Sequence, residues 1–307
     1  MGVLLTMLLM VAGAGIGVWS ERRYPQAAVA LARRFLLVIL YVLVPFVIFF
    51  NLARASISLD NAVGIVLALL NLTLVSVIVW FAATRLLHLS RAQTGAVLVS
   101  ALVANTAYLG YPLTVALLGH DHLSTSVLYD VLVSGPALML GAFGVAAAFG
   151  NRAGEGAGER ARAFFTRNPP LYAAIAGLLV PDALAPNVLV DASQVLAVAI
   201  LPIGFFAVGA TLAEGAEQGD LPFPPPLTPP VALAVAGRLA LAPALLMLLA
   251  TPLIDLPASY RLMSVMPTGI NSLVVSHAYG LDNKIVAESI TWSTAIVVAG
   301  ALLSLLF

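Results

Sequence analysis

The sequence contains no cysteine. That absence removes disulfides, thiolate zinc sites, iron–sulfur clusters and thiol nucleophiles together, and it says nothing about redox compartment. Charge is nearly as scarce: 9% of the 307 residues are Asp, Glu, Lys or Arg, against roughly 25% in an ordinary soluble domain. The net charge is zero, so no basic or acidic excess points to nucleic acid or to an acidic partner. The opening run, MGVLLTMLLMVAGAGIGVW, lacks the basic n-region of a signal peptide, and its first charges (Glu21, Arg22, Arg23) come after the apolar stretch. It reads instead as a first spanning helix. What remains is apolar: 61% of residues are hydrophobic and the mean hydropathy is +1.04. Such a chain cannot cover a water-facing surface, and its solvent is a lipid bilayer.

A spanning helix needs roughly 20 mostly apolar residues. Ten such runs can be marked, over 2–19, 35–53, 61–83, 92–118, 123–149, 169–185, 188–212, 230–252, 258–280 and 284–306. The sixth is short. Residues 150–168 (GNRAGEGAGERARAFFTRN) read as a flexible, charged linker. Residues 214–230 (EGAEQGDLPFPPPLTPP) are acidic and then Pro-rich, which predicts an extended connector. The expected fold is all-α, divided into 1–149, a linker over 150–168, and 169–307.

Orientation follows from Lys and Arg alone. The side that holds the loops after runs 1, 3, 5, 7 and 9 carries Arg22, Arg23, Arg33, Arg34, Arg85, Arg91, Arg152, Arg160, Arg162, Arg167 and Lys284. The other side carries Arg54 and Arg261. This bias predicts a multi-pass protein of the cell (plasma or inner) membrane, with both termini outside and the central linker cytoplasmic.

The linker divides ten runs into five and five, and an odd number per half inverts the second half, as in an inverted-repeat transporter. Run 2 carries VPFVIFFNLA around Pro45 and run 7 carries LPIGFFAVGATLA around Pro202, 157 residues later. Run 4 is interrupted by NTAYLGYP (Asn105 to Pro112) and run 9 by PTGINS (Pro267 to Ser272). Shifting the centre of the first interruption by the same interval lands within about four residues of the second. Paired Gly/Pro-interrupted spans are the best sequence pointer to a transporter's binding site.

The chemistry of such a break is general. Proline removes a donor and clashes with the preceding turn, and glycine leaves helical geometry cheaply. The freed backbone groups must be buried in protein or line a wet cavity. Each break makes a helix N-terminus with unpaired N–H groups and partial positive charge, which binds an anion without any formal cation. Asn105 and Asn271 add donors and acceptors, or else cap the broken ends. Thr106, Thr268 and Ser272 add hydroxyls, and Gly110, Pro112, Pro267 and Gly269 shape the breaks.

Over nearly its whole length the chain resembles the auxin efflux carrier family, including its shorter bacterial members of malate- and malonate-permease type. The resemblance rests on NTAYLGYP, LPIGFFAVGATL, GRLALAPALLM and MPTGINSLVVSHAYGLDNKIV, in that order. It implies ten helices in two inverted five-helix repeats, with broken helices 4 and 9 crossing, similar to the crossover fold of bacterial sodium/proton antiporters and bile acid symporters. It implies a carrier of organic anions, with Asn105 at the position of the crossover Asn that faces substrate, and Pro112 and Pro267 at those of the crossover prolines. Asn271 sits where the family varies more. The long central loop of plant members is here only about twenty residues, which argues against regulation through it.

Ionisable residues inside a membrane are costly and default to functional candidates. Arg238 in run 8 either attracts an anion or ties helices together through backbone carbonyls. Asp130, read as two turns from the outer end of run 5, either carries a proton or sits at a wet interface. His277, near the cytoplasmic end of run 9, suits a proton switch or is an ordinary interfacial residue. The interruptions contain no Asp or Glu, which argues against cation antiport and leaves proton coupling, sodium coupling and simple uniport open. No metal, cofactor or catalytic set is called for. HExxH is absent, a second mid-membrane carboxylate to face Asp130 is lacking, and Ser272 and His277 are five apart, off a common helix face. A ligand-binding receptor or scaffold is the remaining rival, and flux distinguishes it. Gly13 and Gly17 form a GxxxG that serves either a homodimer or packing within one subunit.

Overall fold

The computed structural model describes residues 2–55, 57–151, 168–217 and 224–304, with 158, 162, 165 and 166 from the central linker. The linker charges Arg152, Arg160 and Arg167 lie outside the described residues, as does part of the Pro-rich connector. The chain runs through α1 (Val3–Arg23), α2 (Pro25–Leu52), α3 (Leu59–Leu86), α4 (Arg91–Leu102), α5 (a π turn, Thr106–Gly110, continuing as Tyr111–Leu117) and α6 (His120–Phe149). There follow α7 (Pro169–Leu179), α8 (Asn187–Glu217), α9 (Pro229–Ala250), α10 (Ala258–Ser264), α11 (Asn271–Tyr279) and α12 (Asn283–Leu303). Among the described residues the regular structure is helical, with a single extended bridge between Ala104 and Thr268.

Among the described residues seven helices, α1, α2, α3, α6, α8, α9 and α12, are long and apolar enough to cross a membrane. The other apolar runs are shorter helices. Run 4 is divided into α4 and α5, run 9 into α10 and α11, and run 6 forms only the 11-residue α7. Helix ends also depart from the apolar runs. α1 continues to Arg23 and α2 starts at Pro25 rather than near 35. Proline is pre-organised for a first helical position, and arginine is a good helix former that keeps its head in water while its stem stays on apolar surface.

The helices associate in two groups. In one, α1, α2, α7 and α8 pack on one another, and in the other α3 to α6 pack with α9 to α12. The first group is held by close backbone contact. Gly13 and Gly17 of α1 lie against Pro202 and Phe206 of α8, and Gly209 of α8 lies against Ala14. A Cβ at any of these glycines would overlap a backbone carbonyl oxygen. The GxxxG of α1 therefore closes an interface inside the chain, since small residues let membrane helices approach. Outward faces are apolar, with Leu4, Leu8, Val66, Phe81 and Leu248 all exposed, as expected where lipid replaces water. Inside, Asn71 Nδ2 of α3 donates to the carbonyl of Ala242 in α9 at 3.0 Å.

Candidate functional site

The two interruptions lie against each other. α4 ends at Leu102, and Val103 is extended (φ −84°, ψ 114°). Asn105 donates its backbone N–H to the carbonyl of Pro267 at 2.8 Å, and Gly269 donates to the carbonyl of Val103 at 2.9 Å. Each break thus supplies the partner that the other lacks, which meets the demand that no backbone group be left unpaired in hydrocarbon. Thr268 completes the join: its N–H donates to Ser293 Oγ (3.1 Å) and its hydroxyl to the carbonyl of Ser100 (2.9 Å). Gly269 is required on space grounds, because a Cβ there would crowd the carbonyl of Ala104 at 3.0 Å.

The C-terminal ends of α4 and α10 converge on Arg238 of α9. Its guanidinium donates to the carbonyl of Ala101 (3.3 Å) and to that of Ser264 (2.5 Å), and the residue is 2% exposed. Both carbonyls sit in the last turn of their helix, where unpaired C=O groups and negative dipole ends gather and a cation is favourable. Of the two roles open from sequence, the geometry is that of a tie between backbone carbonyls. Arg238 does not line the cavity described next.

The N-terminal ends of α5 and α11 open on a cavity of about 110 Å³. Its wall includes Asn105, Thr106, Gly269 and Asn271 from the two breaks, Asp130 and Ser134 from α6, Leu40 and Val44 from α2, and Asn168 and Leu171 at α7. It therefore lies between the two helix groups. Neither break has a side-chain N-cap: Asn105 makes no capping bond to α5, and α11 has Ile270 in that place. Asn105 is 5% exposed, and its Oδ1 is buried without a hydrogen-bond partner. An unpaired buried amide oxygen is costly, and here it belongs to a residue on the cavity wall.

Sequence reading assembled only part of this wall. Gly110, Pro112, Pro267, Thr268 and Ser272 stand behind it. Gly110 faces Met263 and Met266, whose side chains would have to shift for a Cβ. Pro112 lies in the first turn of the helix Tyr111–Leu117, Pro267 supplies the carbonyl to Asn105, and Ser272 bonds the carbonyl of Gly269 at 2.6 Å. His277 is exposed in the last turn of α11, with Nδ1 3.4 Å from Asn283 Nδ2, and takes no part in the cavity.

Asp130 is the larger surprise. It lies seven residues past Leu123, about two turns into the helix as the sequence suggests, and opens a π turn over Asp130–Ser134. Its Oδ1 accepts from Thr106 Oγ1 and its Oδ2 from Tyr111 Oη at 2.6 Å. The breaks hold no carboxylate in sequence, yet the fold brings one to the first turn of α5. Tyr111 and Asn168 were also missed. Tyr111 lies within the quoted NTAYLGYP stretch, and Asn168, ahead of Pro169 and Pro170, carries an N-cap pattern: its side chain accepts from Leu171 N at 3.3 Å.

The model of a family described as membrane transport protein matches residues 3–149 and 165–305, leaving out most of the linker. A protein of Methanothermobacter thermautotrophicus called an uncharacterized transporter is 30% identical over 182 residues, which is 57% of this chain and 57% of that protein. The chain thus spans little more than half of that relative's length. Apolar spanning helices, an interior cavity at two broken helices and a match over both halves agree: the chain is a multi-pass membrane protein that belongs to the membrane transport protein family, the family of the auxin efflux carriers.

Proposed function

We propose that this chain is a secondary carrier that moves a small organic anion, an auxin-like acid or a mono- or dicarboxylate, across the cell membrane by alternating access. The observation that carries the reading is the pair of breaks, joined through Asn105 and Pro267, whose two N-terminal ends face one cavity between two helix groups. A carboxylate would sit against the first N–H groups of α5 and α11 with Asn105, Thr106, Gly269 and Asn271 around it. Gly110, Pro112, Pro267, Thr268 and Ser272 hold the breaks in shape. The grouping of α1 and α2 with α7 and α8 pairs the opening helices of each half, which supports two inverted five-helix repeats (1–149 and 169–307) with broken spans 4 and 9 crossing. One group would move against the other around the cavity, with both termini outside and the linker cytoplasmic. Gly13 and Gly17 are occupied within the chain, so a homodimer would need another face.

The test is a thermal-stability screen of the purified protein against small carboxylates, including indole-3-acetate, malate, malonate and a bile acid, with and without sodium. A ligand that binds only the folded state raises Tm with its occupancy. Stabilisation by one carboxylate class, followed by its flux in proteoliposomes, supports a carrier. Stabilisation without flux would make the chain a receptor, and stabilisation by sodium alone would favour a cation-linked carrier of another substrate class. Asp130 on the cavity wall is the observation that keeps that second reading in play.

A further inference from the structure

Among the described residues the cavity wall contains one carboxylate, Asp130, and no Lys, Arg or His. Arg238, the buried cation nearest the breaks in sequence logic, is committed to the carbonyls of Ala101 and Ser264 on the C-terminal side of the join. An organic anion entering this space would therefore share it with an ionised Asp130, and two like charges in one buried site do not both stay ionised. The partners of Asp130 are both hydroxyls, Thr106 Oγ1 and Tyr111 Oη. A hydroxyl donates to a carboxylate and can turn to accept from a carboxylic acid. An arginine or lysine partner would hold the group charged, whereas these two serve either protonation state.

Resting on the anion-carrier reading above, we propose that Asp130 is the proton site of this carrier: the anion binds when Asp130 holds a proton, and the two cross together. The carboxylate takes a proton from water on the loading face, and the acid returns it to water on the other face, so each cycle moves one proton with one bound anion. Thr106 is the shared element, because it bonds Asp130 and lines the cavity beside Asn105. The groups facing Asp130 allow this. From α5 they are Tyr108 and Tyr111, and α2 and α7 present only uncharged residues to the cavity. From α10 Tyr260 packs edge-on against Tyr129, 5.1 Å between ring centres, and it is Tyr129 that lies within electrostatic reach of Arg238.

The experiment uses the full chain, with indole-3-acetate, malate and malonate as probes, at pH values where each probe's charge is constant. For the wild type, affinity read from thermal stabilisation should fall about tenfold per pH unit on the alkaline side of the Asp130 titration. Asp130→Asn should bind with an affinity independent of pH and lose accumulation driven by a pH gradient. Asp130→Glu, which keeps the acid, should retain gradient-driven accumulation, and it guards against an Asn variant that fails to fold. Wild-type binding that ignores pH, or accumulation by Asp130→Asn under a pH gradient, overturns this inference and leaves the anion carrier standing. Failure of all carboxylates to bind at any pH overturns both.

Discussion

Asn105 gives its backbone N–H to the carbonyl of Pro267, 162 residues away in sequence. That bond, with its reciprocal from Gly269 to Val103, is what permits two helices to stop in mid-protein. It also leaves the Asn105 side chain free for other work, since its Oδ1 has no partner.

Asn105→Ala should therefore abolish ligand binding and transport while leaving the fold intact. Removing an amide whose oxygen is already unpaired sacrifices little, so stability should change by no more than about 1 kcal/mol. Binding by thermal shift and flux in proteoliposomes, set against the melting temperature without ligand, separate the two effects. Wild-type flux in this variant would sink the site at the breaks.

Arg238 should behave in the opposite way. Arg238→Ala leaves the carbonyls of Ala101 and Ser264 buried without their donor, and hydrogen bonds to a charged group are worth about 1.5–3 kcal/mol each. The variant should lose several kcal/mol and unfold at markedly lower temperature in detergent. Arg238→Lys, with one compact donor head in place of a fork, should recover part of the loss. A variant as stable as the wild type would refute the role of Arg238 as a tie between the two helix ends.

The α1–α8 contact predicts a sharp contrast among glycines. A Cβ at Gly17 or Gly209 overlaps the carbonyl of Phe206 or Ala14, whereas one at Gly15 meets nothing within 4 Å. Gly17→Ala and Gly209→Ala should each destabilise by about 2 kcal/mol or more through backbone displacement. Gly15→Ala should be neutral or stabilising by up to about 1 kcal/mol, from helix propensity alone. Thermal unfolding of the three variants side by side is the check.

How far the sequence could be read depends on the kind of partner. Breaks were visible because Gly, Pro and Asn cluster where helices fail. Their placement was shifted, since Pro112 marks the first turn of the new helix and the chain actually leaves helical geometry at Val103 to Asn105. Pro202 illustrates the converse: it sits inside α8 without ending it. The destination of Arg238 was open because its acceptors are main-chain carbonyls, which no residue type announces. The role of Asp130, proton carrier or wet-interface residue, was open because its partner Thr106 is 24 residues away, and the π turn that carries it has no sequence signature. Leu40, Val44 and Asn168 reach the cavity only through the packing of one helix group on the other.

Topology offers a decisive test, and the absence of native cysteine makes it simple. Single cysteines at Gly2 and Gly158 can be labelled from either face with a membrane-impermeant maleimide. Between them lie four of the seven long helices, α1, α2, α3 and α6, plus the broken pair α4 and α5. If the broken pair crosses the membrane as one span, five crossings put Gly2 and Gly158 on opposite faces. If only the long helices cross, four crossings put them on the same face. The Lys and Arg bias predicts Gly158 inside, so the expected result is Gly2 labelled from outside and Gly158 only after permeabilisation. Labelling of both from one face would remove the inverted repeat, and with it the argument that two helix N-termini meet at a shared mid-membrane site.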